Sequence, residues 1–130
     1  MGISVRVSLA SPEADLAAAV RPGVSTIILP RVESSNQIRT ADALISDLEK
    51  RRGIRPGTIE LRALIESPEG VNVAQEVASS SPRLKTIGVG PNMRVHFETD
   101  GDALEYATAE CELHTRAAGL TPLNMQYVLD

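Results

Sequence analysis

An α/β fold built on a mostly parallel sheet is what this sequence predicts, and three observations predict it. First, five stretches of strand character alternate with helical stretches along the chain, the order that specifies parallel strands joined by right-handed crossovers. Second, residues 24–30 are β-branched and apolar without clean alternation, as expected of a strand covered on both faces. Third, the run Ile59-Glu60-Leu61-Arg62-Ala63-Leu64-Ile65-Glu66-Ser67-Pro68 reads as strand, then acid, then a proline-opened helix. A carboxylate where a strand delivers its last side chain sits at the mouth of a parallel sheet or barrel, where such folds keep their chemistry. Glu66 is therefore the first candidate functional residue.

Residues 3–9 alternate apolar and polar with the period of two that a strand requires. Ser11 offers an N-cap and Pro12 suits a first helical turn, so an Ala-rich helix runs from there to Arg21-Pro22-Gly23. After the second strand, Ile38, Ala41, Ile45 and Leu48 recur at helical spacing until Gly53, with Asp42, Asp47, Glu49 and Lys50 assigned to the wet faces. The turn Arg55-Pro56-Gly57 leads into the third strand, residues 59–66. A further cap-plus-proline start at Ser67-Pro68 opens one helix with Val71, Ala74 and Ala78 on its inner face, broken at Ser79-Ser80-Ser81-Pro82. Residues 86–90 form a brief fourth strand, 91–101 a loop, and Leu104, Ala107, Cys111, His114 and Ala118 a last helical stripe ending at Gly119. Residues 123–129 are the fifth strand. About five βα units of this kind make either a doubly wound open sheet or an arc of a (β/α) barrel, and periodicity leaves both open.

Length and composition bound the rest. The 130 residues, 42% of them hydrophobic, fit a single α/β domain with a real core, residues 1–130. One Cys supports neither a disulfide framework nor a Cys-rich zinc site, and a reduced, cytoplasmic setting is the expectation. A net charge of -4 with two Tyr, one Phe and no Trp argues against nucleic acid, which needs a basic face and stacking platforms. No apolar run approaches the ~20 residues of a membrane span, and residues 1–10 lack the pattern of a signal peptide.

At Ile27-Ile28-Leu29-Pro30-Arg31-Val32-Glu33-Ser34, and again from Arg52-Gly53-Ile54 through Ala63-Leu64-Ile65-Glu66-Ser67, the chain resembles the citrate lyase beta-subunit-like proteins of the HpcH/HpaI aldolase superfamily. Their pattern runs Val-Arg-Val-Asn, Leu-Pro-Lys-Val-Glu-Ser, Ile-Glu-Thr, then Gly-x-x-Asp-Leu, the order found here. The resemblance implies a partial TIM-barrel-like sheet, incomplete relative to the family barrel. It also implies a carbon–carbon lyase acting on a small hydroxy or oxo acid or its coenzyme A thioester, with Mg²⁺ as cofactor. Carried over by position, Arg6 would clamp the substrate carboxylate and Glu66 would be a magnesium ligand. The family's second metal-ligand position reads Met93 in Gly90-Pro91-Asn92-Met93-Arg94, and Ser8, Arg31 and Asn124 stand where the family has Asn, Lys and Asp. A thioether is a poor donor to a hard cation, so Mg²⁺ binding should be weak and depend on bound acid. The alternative the departures leave open is a catalytically inactive remnant serving as a scaffold or binding module. Unpaired edges on an unclosed sheet predict self-association.

Other residues take blander readings. Glu33, after the Leu29-Pro30 turn, is a weak candidate for the mouth, since an acid before a helix commonly serves the helix. Asn92 fits turn chemistry, His96 a surface position and His114 a packing position, while Cys111 on an apolar stripe behaves as a small hydrophobe. Gly88-x-Gly90 is too short for a dinucleotide fingerprint.

Overall fold

The computed structural model describes residues 2–8, 11–96 and 100–124. Its strands are β1 (Ile3–Arg6), β2 (Val24–Leu29), β3 (Glu60–Ile65), β4 (Leu84–Val89) and β5 (Thr121–Asn124). Between them lie α1 (Pro12–Ala19), α2 (Ser35–Arg51), α3 (Pro68–Asn72), α4 (Ala74–Ala78), α5 (Met93–His96) and α6 (Gly101–Ala117). All four strand pairings are parallel and the sheet order is β1-β2-β3-β4-β5.

That order resolves the choice periodicity left open. A doubly wound sheet needs a reversal of strand order, which sends its helices to both faces; here the order never reverses. Right-handed crossovers then place every connecting helix on one side, and the core agrees. Val7, Ile27, Leu29, Leu61, Ala63, Ile65 and Ile87 share one strand phase and pack into the hydrophobic cluster with Leu16, Ile38, Ile45 and Val77. The architecture is an arc of a (β/α) barrel, and the sheet is not closed: among the described residues β1 pairs with β2 alone and β5 with β4 alone. No helix among them is long and apolar enough to cross a membrane.

Helix α2 forms as its spacing predicts, with Ile38, Ala41, Ile45 and Leu48 buried. Ser34 opens it with a capping box in which its hydroxyl accepts from the Gln37 N–H and the Gln37 side chain accepts from the Ser34 N–H. One assignment on this helix is corrected. Glu49 is not on a wet face but fully buried, because its carboxylate meets Arg83 and the N–H groups of Gly57 and Ile59.

Several boundaries also move. The single helix expected after Ser67 is two, since Val73 at φ -110 ends α3 and begins α4. Residues 93–96, expected within a loop, form the short helix α5, and α6 begins at Gly101, where the Asp100 side chain caps the Ala103 N–H. Strand β1 is shorter than predicted and β4 begins two residues earlier. Ser11 holds the N-cap position of α1 without a side-chain cap bond. The expected continuation of β5 across residues 125–129 lies outside the described residues.

Candidate functional site at the end of strand β3

Glu66 follows the last residue of β3, in the strand phase of Arg62 and Leu64, on the face opposite the hydrophobic cluster. Neighbouring loops close around it through the backbone: the Val32 N–H donates to the Leu64 carbonyl and the Gly90 N–H to the Ile65 carbonyl. These bonds bring two further N–H groups onto the carboxylate. Arg31 donates to Oε2 at 2.8 Å and Asn92 donates to Oε1 at 3.3 Å. Only 2% of Glu66 is exposed, so its orientation is set by the loops and not by solvent.

Two backbone features make the arrangement possible. Gly90 is tight against the acid: a Cβ there would overlap Glu66 Cγ, Cδ and Oε1. Arg31 stands at φ 52, in the left-handed region, which costs an L-residue about 1–2 kcal/mol, and it is this turn of the chain that aims its N–H at Glu66.

The result is a cleft of about 420 Å³ at the C-terminal end of the sheet, with Glu66, Ser67, Arg31 and Glu33 on one side and Asn92, Val95 and His96 on the other. Glu33 is exposed, yet it is held: its Oε2 accepts the Ser67 hydroxyl at 2.6 Å and its N–H donates to Gln37 Oε1 at 2.7 Å. Ser67 in turn caps α3 through the Gly70 N–H. The cleft thus combines two carboxylates, one guanidinium, one imidazole and one amide side chain.

The structure lines one cleft with Glu33 and Glu66, and Arg6 is not among the residues that line it. Arg6 is exposed at the end of β1, on the same face of the sheet but four residues below Glu66 in the register that runs through Ile28 and Arg62. Met93 is also elsewhere: it is fully buried and belongs to the hydrophobic cluster. Asn92, one position earlier, is the residue that faces the cleft. Asn92, His96, Arg31 and Ser67 were not singled out as site residues by sequence. The signal that could have found them is positional, since all lie within a few residues of a predicted strand end.

No group of three or more His, Cys, Asp or Glu among the described residues is placed to cage a metal. The donors at the cleft still fit Mg²⁺ at the lower limit of what it accepts, namely one or two carboxylates completed by water and ligand oxygens. Glu66 has a free lone pair on each oxygen beyond its backbone bonds, and Glu33 lines the same cleft. Both are hard oxygen ligands of the kind the cation prefers.

The chain is 31% identical over 118 residues to the citrate lyase subunit beta of Haemophilus influenzae, covering 87% of this chain and 40% of that protein. It is 36% identical over 111 residues to the same subunit of Leuconostoc mesenteroides subsp. cremoris, covering 82% and 37%. With the L-malyl-CoA/beta-methylmalyl-CoA lyase of Rhodobacter capsulatus it shares 33% over 67 residues, 52% of this chain and 21% of that one. The chain therefore spans about 40% of the length of the citrate lyase subunits it matches. Among solved structures, a citrate lyase from Burkholderia xenovorans LB400 superposes with a TM-score of 0.76 at 16% identity, covering 95% of this chain and 43% of that one. The citrate lyase beta subunit from M. tuberculosis complexed with oxaloacetate and magnesium gives 0.66 at 21%, covering 93% and 53%. Residues 3–128 match the family itself, and the chain belongs to the HpcH/HpaI aldolase/citrate lyase family.

Proposed function

We propose that this domain takes part in Mg²⁺-dependent carbon–carbon bond cleavage of a small hydroxy acid or its coenzyme A thioester, with Glu66 as the metal-binding carboxylate. The single observation that carries the reading is the buried Glu66 carboxylate, oriented by two backbone N–H groups and facing a cleft at the strand ends. The names of the relatives, lyases of citrate and of malyl-coenzyme A, support the substrate class.

Cleavage beside a carbonyl leaves an enolate, and a bound divalent cation supplies the positive charge that stabilises it. The protein's part is placement. Glu66 is preorganised as an acceptor, so its geometry does not need to be recruited when ligand arrives. Arg31 adds positive charge at the cleft wall, favouring an anionic substrate. Glu33, fixed through Ser67, offers a second carboxylate to the same space. Arg6 as a substrate clamp rests on resemblance; it stands at the end of β1 on the same face of the sheet as Glu66.

A second reading, a binding module without turnover, is favoured by the burial of Met93 in the core and by the absence of a three-ligand cluster among the described residues. Titration of Mg²⁺ with and without oxaloacetate, together with an assay of malyl- or citryl-coenzyme A cleavage, separates the two. The expected result is metal binding only when the oxo acid is present, weakened tenfold or more in Glu66→Gln, on the scale of losing a metal-site partner. Turnover lost in that variant supports the enzyme; ligand-dependent metal binding without turnover supports the module; metal binding indifferent to Glu66 removes both.

The partners of such an arc follow from its edges. Strands β1 and β5 each leave one side unpaired among the described residues, and free parallel edges template pairing with another chain. We expect concentration-dependent self-association. Sedimentation velocity showing only monomer at roughly tens of micromolar would count against it.

A further inference from the structure

Breaking a carbon–carbon bond beside a hydroxyl needs a proton acceptor as well as a cation. The hydroxyl O–H bond breaks as its carbon becomes a carbonyl, and the electron pair of the carbon–carbon bond leaves with the other fragment as an enolate. The proton is held meanwhile and then returned to the enolate carbon. On the function proposed above, on which this inference rests, a side chain in the Glu66 cleft has to carry that proton.

Among the described residues that line the cleft, one group is suited to it. The Arg31 guanidinium stays charged and has no acceptor atom, the Asn92 amide is neither acid nor base at ordinary pH, and Val95 is apolar. The Ser67 hydroxyl is engaged at both ends, donating to Glu33 Oε2 at 2.6 Å and accepting the Gly70 N–H at 3.1 Å. Glu66 accepts the N–H groups of Arg31 and Asn92 and, on the proposed function, holds the cation; Glu33 accepts Ser67. Both carboxylates are thus engaged in their charged form. His96 remains, and imidazole is the side chain whose unperturbed charge change falls between pH 5 and 8.

The turn that carries His96 is tied to the acid itself. The Asn92 N–H reaches Glu66 Oε1 at 3.3 Å, the Met93 N–H bonds the Gly90 carbonyl at 3.2 Å, and the Met93 side chain anchors α5 in the hydrophobic cluster. His96 ends that turn at the cleft wall and is exposed, so its ring can exchange protons with bulk water between turnovers. The charged groups around it are Glu33, Glu66 and Arg31 of the cleft and Arg94 of its own turn.

We propose that His96 is the general base that takes the substrate hydroxyl proton in this cleft and, as imidazolium, returns it to the enolate carbon. The test uses the full chain with Mg²⁺, malyl- or citryl-coenzyme A as substrate, and oxaloacetate as ligand. His96→Gln, at an exposed position, should lower kcat a hundredfold or more while KM and oxaloacetate-dependent Mg²⁺ affinity stay unchanged. It should also flatten the rate profile between roughly pH 5 and 8. Free imidazole should restore part of the rate to His96→Ala. The chain has two histidines, so NMR distinguishes their rings: Mg²⁺ with oxaloacetate should move the His96 signals and leave those of His114, on α6, in place. Turnover that survives His96→Gln but is lost in Glu66→Gln overturns the base and keeps the lyase reading. Binding of Mg²⁺ and oxaloacetate that leaves the His96 ring signals unmoved overturns the base as well. An unsubstituted chain that cleaves neither thioester removes the lyase reading and the base with it.

Discussion

Replacing Arg83 with Met should remove about 3–5 kcal/mol of folding stability, a large share of the ~5–15 kcal/mol that holds a domain together. Arg83 is 6% exposed and Glu49 not at all. The guanidinium meets Glu49 Oε1 at 2.6 Å and Oε2 at 3.0 Å, Asp42 Oδ1 at 2.6 Å and Ser46 Oγ at 2.8 Å, while Glu49 also accepts from the Gly57 and Ile59 N–H groups. No side-chain atom in this buried network lacks a partner among the described residues. Removing the cation strands a buried carboxylate, which is the expensive outcome; removing both charges in Arg83→Met/Glu49→Leu should recover much of the loss. Urea unfolding of the single and double variants reads this directly, and equal losses in both would mean that packing, not charge, dominates. The network also sets a pH dependence. Burial opposes the charged form of Glu49, but the bonds from Arg83, Gly57 and Ile59 outweigh it and hold the pKa below its ordinary 4.5. Asp42 is held below 3.8 in the same way, burial opposing and Ser81 and Arg83 prevailing. Depressed carboxylate pKa values contribute stability that is present above the unfolded pKa and is lost as pH falls through the folded one. The urea midpoint should therefore drop below about pH 4.5, and less steeply in Arg83→Met.

Gly90→Ala should cost the site its function while leaving the domain folded. The new methyl would occupy the space of Glu66 Cγ, Cδ and Oε1, and the acid has no room to yield, being 2% exposed and held by the N–H groups of Arg31 and Asn92. Moving it away breaks those bonds, at about 1–3 kcal/mol for the strain and the stranded donors. A melting curve should show a shifted but cooperative transition. Oxaloacetate-dependent Mg²⁺ binding, on the reading proposed above, should fall tenfold or more. Binding that persists at the original strength would show that Glu66 does not hold the metal.

How much of this could be read beforehand depended on whether the decisive contacts were local. Helix α2 was legible because its apolar stripe, Ile38, Ala41, Ile45 and Leu48, recurs within a few turns of one helix. Glu66 was legible for a similar reason: a strand, an acid and a capped proline sit side by side, so its place at the strand end follows from neighbours alone. Glu49 was misread because its partner Arg83 is 34 residues away. A carboxylate flanked by Leu48 and Lys50 looks wet until that guanidinium arrives. Residues 93–96 lacked a long periodic pattern, so the single turn of α5, and with it the approach of Asn92 and His96 to the cleft, went unseen.

By itself, then, the amino-acid order determined the alternation of strands and helices, the parallel class of sheet and the acid at the end of β3, because each is written in spacings shorter than a single βα unit. Only the tertiary structure decided that the strands follow one another without reversal, that Met93 turns into the core, and that Asn92 and not Met93 lines the cleft with Glu66. Those outcomes depend on which strand pairs with which and in what register. A shift of one residue would turn each side chain to the other face, and it is contacts between distant segments that hold the register in place.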